Sequence, residues 1–209
     1  MTEEKTIKPH VTLYGAPVGL MQTDQPGTSR WRTATRLIWS LVGAAAGISA
    51  AFAMAGPTMS PFLLASLGGS TVFLFGLTRA PAAQPRALLG GHLGAAAIGV
   101  VCGQYFGDAL WVYALAQTLT LAFMLLSGTV HPPAGANALI MIHAHADASA
   151  LWMPVFIGVA TLALVAAGWS RLGSYWFAEQ TRYPTRWMDR SPPSLLWGIT
   201  NDRVFEETT

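Results

Sequence analysis

The sequence predicts an all-α integral membrane protein with about six transmembrane segments, arranged as two inverted halves of three segments each. Of its 209 residues, 52% are hydrophobic and only 11% are charged, whereas about 25% are charged in an average soluble domain. The apolar residues form long blocks separated by short polar joints, which is the pattern of bilayer-spanning helices. The middle block of each half is interrupted by glycine, serine or proline.

The first element is a polar arm, residues 1–30, which lacks an apolar run and is predicted to be cytoplasmic. A cluster of arginines then leads into Leu37–Ala55, a block of about 19 residues that suffices to cross roughly 30 Å of hydrocarbon. This block is the first predicted span. It opens a transmembrane domain predicted over residues 31–170.

The second block, residues 61–77, is interrupted at residues 66–70, where two adjacent glycines lie between two serines. Glycine lowers helix stability by about 1 kcal/mol relative to alanine, so we predict an irregular helix here. A polar joint, Arg79–Arg86, precedes an uninterrupted block, Ala87–Phe106. These three blocks form the first predicted half.

The second half repeats this order, beginning with an uninterrupted block, Ala109–Ser127. The next segment, residues 131–145, is interrupted: it starts with two prolines and contains a short apolar helix, Ala134–His143. At 1.5 Å per residue this helix covers only about half of the hydrocarbon thickness. Leu151–Gly168 is the last predicted span.

The positions of the arginines predict the orientation. If all six blocks cross, the arginines of the arm, of the joint and of the tail at residues 171–209 fall on one side, while Asp108 and the 143–147 loop fall on the other. Because Lys and Arg favour the cytoplasmic side, both termini are predicted to be cytoplasmic. If either interrupted block were re-entrant, an arginine cluster would move outside. The tail is also rich in tryptophan, which suits a cytoplasmic or interfacial segment.

The paired interruptions favour a transport function. An odd number of crossings per half inverts the second half, and inverted repeats with broken helices at matching positions are typical of transporters with a site near the bilayer midplane. The alternative is that glycine and proline serve only helix packing, in which they are common in membranes. We favour the paired site because both interruptions also bring polar side chains into the membrane.

The stronger candidate half-site is the start of the short helix in the second half. Two prolines suit a helix N-terminus, so the first free amides would point out of it and, with the helix dipole, form a cradle for an anion. His131 could supply a donor or a titrating proton, and Asn137 a neutral donor. A purely structural proline cap is the alternative. The candidate residues are His131, Pro132, Pro133, Ala134, Gly135, Ala136 and Asn137.

The facing half-site in the first half comprises Ser66, Gly68, Gly69 and Ser70, which are predicted to expose amides and hydroxyls at similar depth. Close helix packing through small residues is the alternative. For the three GxxxG motifs, which start at Gly43, Gly99 and Gly103, we favour that packing interpretation.

Three residues near the third block are candidates for access or coupling. Gln84 and Arg86 lie in the joint, where Arg86 can attract anions, although the positive-inside rule already accounts for it. His92 lies further inside, and an intramembrane histidine indicates function by default.

Several functional classes are not expected. A formal charge of +2 spread over loops gives no nucleic-acid footprint. No nucleophile constellation or phosphate loop supports an enzyme, and no cofactor is expected. His143, His145 and Asp147 favour a solvated loop over a metal site. The single cysteine, Cys102, can form no disulfide within the chain.

The chain resembles the HPP family of integral membrane proteins, named for the tripeptide His131-Pro132-Pro133. Residues 65–70 are similar to the family's ASLGAS stretch, with Gly69 replacing alanine. Residues 83–86 match its AQPR, residues 90–92 its GGH, and residues 131–136 its HPPAGA. The joint at residues 78–81 is more basic than the usual sequence.

The resemblance implies a domain that is usually described as having four spans. Plastid and cyanobacterial members are described as nitrite transporters, which implies nitrite or a similar small anion as substrate. Some bacterial members carry an added CBS region, which we do not expect in this chain.

We therefore expect a transporter or channel for a small inorganic anion, foremost nitrite, in a bacterial inner membrane. The GxxxG faces make a homo-oligomer plausible. The alternatives are a membrane-embedded anion sensor and a structural assembly subunit, neither of which would produce flux.

Overall fold

The computed structural model describes residues 12–13, 16–17, 30–55 and 61–176. The chain divides into two units, residues 1–37 and 38–209. In the first unit, strand β1 (Thr12–Leu13) pairs antiparallel with β2 (Ala16–Pro17). The rest of the predicted polar arm lies outside the described residues.

The described part of the chain is otherwise built of helices, as predicted. The helices are α1 (Arg30–Ala55), α2 (Pro61–Thr71), α3 (Pro85–Phe106), α4 (Leu110–Ser127), α5 (Pro132–His143) and α6 (Ile157–Trp176). A π-helical turn extends α2 over Val72–Gly76, and a 3-10 turn, Pro81–Ala83, lies in the joint before α3. The segment before α6, Leu151–Phe156, is kinked, with extended backbone at Met153 (φ −118°, ψ 120°), so the last predicted block is interrupted near its start. The chain therefore has an all-α membrane fold.

Four described helical segments are long and apolar enough to cross a membrane. They are Trp31–Ala55, Pro85–Phe106, Leu110–Ser127 and Leu151–Tyr175, and they cover the four blocks predicted as uninterrupted, to within one residue at the start of the third. α5, with 12 residues, is about 18 Å long and thus has the short length predicted for it. The count of six crossings stays a prediction.

The segment that contains α5 runs the full length of α3. At the start of α3, Arg86 Nη2 donates a hydrogen bond to the carbonyl oxygen of Ser127, 2.5 Å away. Just beyond the end of α3, the Asp108 carboxylate lies 3.8 Å from Nε2 of His145. The chain between Ser127 and His145 therefore begins beside the N-terminus of α3 and ends beside its C-terminus.

Glycines on α3 allow α5 to approach this closely. A Cβ atom built on Gly99 would lie 2.7 Å from Cα of Ala138, and one on Gly103 would lie 3.4 Å from Cα of Ile142. Small residues at such spacing let helix backbones come into contact. The close-packing interpretation of this GxxxG motif is confirmed.

The glycines of α1 also face the chain's own helices. Gly43 lies against the ring of Trp169, and Gly47 lies against Phe75 and Leu162. This GxxxG face therefore gives no support to association between protomers, because its partners are in the same chain.

The interruption predicted at residues 66–70 is absent, which corrects the sequence-based expectation. α2 is a continuous α-helix through Ser66, Gly68, Gly69 and Ser70, and the irregular turn comes later, at Val72–Gly76. The weak helix propensity of glycine is overridden by tertiary contact, as is common for propensities of about 1 kcal/mol. Of the two glycines, Gly69 admits Pro133 of α5, whereas a Cβ atom on Gly68 would meet nothing within 4 Å.

Candidate functional site

Three helices bring five neutral polar side chains together inside the membrane domain. α2 contributes Ser66 and Ser70, α3 contributes His92, and α5 contributes Asn137 and its N-cap residue His131. Each of the five is at most 2% exposed. We call this group the polar cluster.

Ser66 and Ser70 lie on one face of α2 because residues four apart are neighbours on a helix. The Ser70 hydroxyl is 3.0 Å from the carbonyl oxygen of Ser66, 3.0 Å from Nε2 of His92 and 2.9 Å from Nε2 of His131. The Ser66 hydroxyl donates to the carbonyl oxygen of Pro133 at 3.0 Å. Ser70 is thus the contact between the two histidines.

The position of His131 follows from the proline after it. A residue before proline is biased to extended backbone, and His131 has φ −135° and ψ 96°. Its Nδ1 donates to the carbonyl oxygen of Ala82 at 2.6 Å, and its ring lies 5.4 Å from the ring of Phe73 and 5.2 Å from that of His92, measured between centroids. His131 therefore connects the cluster to the joint before α3.

Asn137 lies between the start of α5 and His92. Its Nδ2 donates to Nδ1 of His92 at 2.9 Å and to the His92 carbonyl oxygen at 3.3 Å. Its Oδ1 is buried and has no hydrogen-bond partner. An unpaired buried acceptor costs about 1–3 kcal/mol, so this atom can accept a donor from a bound group or water.

Two glycines, Gly69 on α2 and Gly91 on α3, leave room for the start of α5 to pack beside the cluster. A Cβ atom on Gly91 would lie 3.0 Å from the Thr129 carbonyl oxygen and 3.1 Å from Cβ of His131, and one on Gly69 would lie 3.0 Å from Cβ of Pro133. The GGH and ASLGGS stretches of the sequence therefore have a steric role in forming the cluster.

Four of the candidate residues in the two interrupted segments meet as predicted: Ser66, Ser70, His131 and Asn137. They meet through side chains that bond to one another. The prediction that the first free amides of α5 form an open cradle was partly wrong, because one of them is used within the helix start. The Ala134 amide donates to the carbonyl oxygen of His131 at 3.0 Å, because the turn closes on its own N-cap residue.

Other candidates in these segments lie outside the polar cluster. Pro132 and Ala136 are exposed, and a Cβ atom on Gly68 would meet nothing within 4 Å. Gly135 is buried, but its nearest neighbour in that direction is Nε2 of Gln117 on α4, 3.3 Å from a built Cβ. Pro133 contributes its carbonyl oxygen, as the acceptor for Ser66.

The three residues predicted for access or coupling, Gln84, Arg86 and His92, lie in two different places. His92 is at the centre of the cluster and fully buried, so of its two predicted roles, access and coupling, its position suits coupling. Arg86 is exposed and bonds to Ser127, while Gln84 is the half-buried N-cap residue of α3. Both residues lie at the start of α3, next to the Ala82 carbonyl that bonds to His131.

Sequence reasoning missed the Ala82 carbonyl and Gln117. A carbonyl carries no residue-specific signal, although Ala82 directly precedes the AQPR stretch. Gln117 is an exposed polar side chain within a spanning helix, which could have been noticed as unusual.

The loop beyond α5 has its own polar contacts. The Asp147 carboxylate accepts hydrogen bonds from the Ser149 hydroxyl and amide, which lower the pKa of Asp147 below its ordinary value. The described residues contain no group of three His, Cys, Asp or Glu side chains that could hold a metal ion.

The comparisons with known proteins point to one family. The family model described as "HPP, transmembrane region" matches residues 30–184. A transmembrane protein of Dictyostelium discoideum is 33% identical over 137 residues, which cover 60% of this chain and 42% of that protein. A second transmembrane protein of the same organism is 32% identical over 129 residues, covering 60% and 45%. The chain thus spans less than half the length of these relatives. No solved structure matches.

Proposed function

The chain belongs to the HPP transmembrane family, and from this membership we propose that it is a transporter or channel for a small inorganic anion, with nitrite as its substrate. The proposal places it in a bacterial inner membrane with both termini in the cytoplasm. It assigns the chain no enzymatic activity and no cofactor.

The observation that carries the proposal is the polar cluster. Polar side chains inside a membrane domain are costly and mark substrate or proton pathways. Here five of them come from three helices, and two of those helices are too short to be ordinary spans. Short helices that meet inside a bundle are typical of transporter binding sites.

The chemistry of the cluster favours a monovalent anion. Hydroxyl, imidazole and amide groups carry hydrogen-bond donors, which bond to acceptors of the protein in this structure and would turn to an anion when it binds. The N-terminus of α5 adds a positive dipole end. No Asp, Glu, Lys or Arg side chain takes part in the cluster as the structure describes it. Neutral donors hold an anion weakly enough for release, while a sodium site would require carboxylate or carbonyl oxygens.

The burial of the cluster supports a second candidate, an anion sensor or assembly subunit without transport. All five side chains are nearly inaccessible and bond to one another. A transporter must open this group to one side of the membrane, whereas a sensor needs only to bind.

Flux of nitrite separates the two. Purified full-length protein in liposomes is given external nitrite near neutral pH, where nearly all of it is ionised, and entry is compared with that in protein-free liposomes to account for leakage of nitrous acid. Saturable entry that is competitively inhibited by other planar monovalent anions and unchanged by sodium is expected. Saturable binding without entry would favour the sensor, and strict sodium dependence would contradict coordination of the anion by neutral hydrogen-bond donors.

A matched pair of variants locates the site. Asn137→Ala should weaken apparent affinity about fivefold, as expected for the loss of one neutral hydrogen bond of about 1 kcal/mol. Thr118→Val removes a hydroxyl that is exposed and bonds only within α4, to the Ala114 carbonyl, and should leave affinity unchanged. Equal effects of both would argue against binding at the cluster.

A further inference from the structure

The polar cluster forms one continuous hydrogen-bond chain between two atoms whose roles are fixed. At one end the Ala82 carbonyl oxygen lies 2.6 Å from Nδ1 of His131; at the other, Nδ2 of Asn137 lies 2.9 Å from Nδ1 of His92. The Ser70 hydroxyl joins the two Nε2 atoms at 2.9 and 3.0 Å.

The Ala82 end sets the state of His131. A carbonyl can only accept, so Nδ1 of His131 carries a hydrogen. In a neutral imidazole Nε2 then has a free lone pair, and the Ser70 hydroxyl must donate to it.

The Asn137 end sets the state of His92 independently. The Asn137 amide nitrogen faces the His92 carbonyl oxygen as well as Nδ1 of His92, so it donates to both atoms. Rotating the Asn137 amide by 180° would instead place its Oδ1 against the His92 carbonyl oxygen, and neither oxygen can donate. Nδ1 of neutral His92 is thus the acceptor, and its hydrogen lies on Nε2, from which it donates to Ser70. Both ends require the same role of Ser70: it accepts from His92 and donates to His131.

From this arrangement we infer that His131 takes up one proton together with the anion, so that the protein is a proton–anion symporter; the inference rests on the proposed function. The proton, arriving from water on one side, bonds to the Nε2 lone pair of His131. The Ser70 hydroxyl turns from His131 to the Ser66 carbonyl oxygen, 3.0 Å away. Ser70 then accepts from both rings, and on release the proton leaves Nε2 and the hydroxyl turns back.

His92 cannot take this proton in the same way. Its free lone pair is on Nδ1, and a hydrogen there would point at the donor amide of Asn137, 2.9 Å away; the other neighbour, the Ser66 hydroxyl, lies farther, at 3.4 Å, and donates to the Pro133 carbonyl oxygen. Among the described residues, the elements around His131 bring one other titratable side chain to it, His92, while Arg79 and Arg86 of the joint are exposed.

The absence of a carboxylate from the described cluster is what couples the two ligands. A protonated His131 would be a buried cation without a counterion, which is strongly unfavourable in a membrane interior. A bound monovalent anion supplies that counterion, and the charged ring in turn favours the anion. Proton and anion therefore bind together, and the loaded cluster is neutral.

Nuclear magnetic resonance of the protein with ¹⁵N-labelled histidine in nanodiscs tests the tautomers directly. Replacing His10, His143 and His145 by Gln leaves two labelled rings, His92 and His131, each with an Nδ1 and an Nε2 signal. We expect the hydrogen of His92 on Nε2 and that of His131 on Nδ1, and only His131 should gain a second proton as the pH falls in the presence of nitrite. The reverse tautomer at either ring, or protonation of His92 first, would overturn the inference.

Flux tests the coupling. When the outside is one pH unit more acidic than the inside, symport of one proton per anion sustains about tenfold accumulation of nitrite inside the liposomes. We measure the initial nitrite uptake with and without the gradient, corrected for protein-free liposomes. The ratio should exceed one for the wild type and for the control His145→Asn, and it should fall to one for His131→Asn. Downhill flux with a wild-type ratio of one would refute coupling alone, and absence of any wild-type flux would refute the proposed function. If His131→Asn does not fold, the uptake ratio of the wild type and the tautomers found by nuclear magnetic resonance still test the inference.

Discussion

Ser70 Oγ lies 2.9 Å from Nε2 of His131, a residue 61 positions further along the chain. The two residues belong to the two segments that the sequence predicts as matching interruptions of opposite halves. Their contact brings these segments together inside the membrane domain. What joins them in this structure is a side-chain network that includes a second histidine, His92, from α3.

This contact predicts a specific cost for Ser70→Ala. Without the hydroxyl, the Nε2 hydrogen of His92 and the Nε2 lone pair of His131 both lose a buried partner, so the variant should be less stable by about 1–3 kcal/mol. Ser174→Ala removes a hydroxyl from a half-buried position near the end of α6, where it bonds to the Arg171 carbonyl oxygen of the same helix, and should change stability by less than about 0.5 kcal/mol. Thermal unfolding in one detergent measures both. Equal stability of the two variants would contradict the network.

Much of the fold was predictable because it depends on apolar length. The four uninterrupted blocks and the short α5 follow from runs of hydrophobic residues and from the prolines before Ala134. The irregularity of the first half was misplaced because two glycines suggested a break at residues 66–70, whereas tertiary contacts keep that stretch helical and the π-helical turn comes at Val72–Gly76.

The members of the site were easier to predict than their bonding. Intramembrane polarity singled out Ser66, Ser70, His131 and Asn137, since each is an unusual residue in an apolar block. That His92 would lie between them depends on the side-by-side contact of α3 and α5 through Gly99 and Gly103, which no local pattern reveals.

The topology prediction can be tested with cysteines in a Cys102→Ala background, because Cys102 is the only native cysteine. Single cysteines at Pro81, Asp108 and Ala148, all exposed positions, are treated with an impermeant thiol reagent in oriented vesicles. Asp108 and Ala148 should label from the same side, since His145 contacts Asp108, and Pro81 from the opposite side. Labelling of Pro81 and Asp108 from one side would remove the six-crossing arrangement.

Two glycine variants test the contact of α3 with α5. A Cβ on Gly99 would lie 2.7 and 2.9 Å from backbone atoms of Ala138, which cannot move independently of the helix, so Gly99→Ala should destabilise by about 1–3 kcal/mol. Gly68→Ala adds a methyl group into open space within a helix and should be neutral or stabilising by up to about 1 kcal/mol. The order of the two unfolding midpoints is the measurement, and a reversed order would contradict the helix contact.

The loop after α5 gives a pH prediction. The Ser149 hydroxyl bonds to ionised Asp147 and lowers its pKa, so the ionised form stabilises the loop above the ordinary carboxyl pKa, and that contribution is lost as the pH falls through the lowered value. Ser149→Ala should raise the Asp147 midpoint towards the ordinary range in a carboxyl-carbon titration by nuclear magnetic resonance. Ser174→Ala is the control, and an unchanged Asp147 midpoint in Ser149→Ala would show that this hydroxyl is not the cause.

The last prediction concerns Gly135, which lies in the first turn of α5, is buried and faces Gln117 on α4. A leucine there would fill the space beside the α5 N-terminus, because a Cβ alone would already lie 3.3 Å from Nε2 of Gln117. Gly135→Leu should therefore abolish nitrite flux while the protein still inserts and remains monodisperse in detergent. Ala122→Leu places the same side chain on an exposed face of α4 and should retain flux. Wild-type flux in inserted Gly135→Leu protein would mean that the anion passes elsewhere, leaving His131-Pro132-Pro133 as a structural cap on α5.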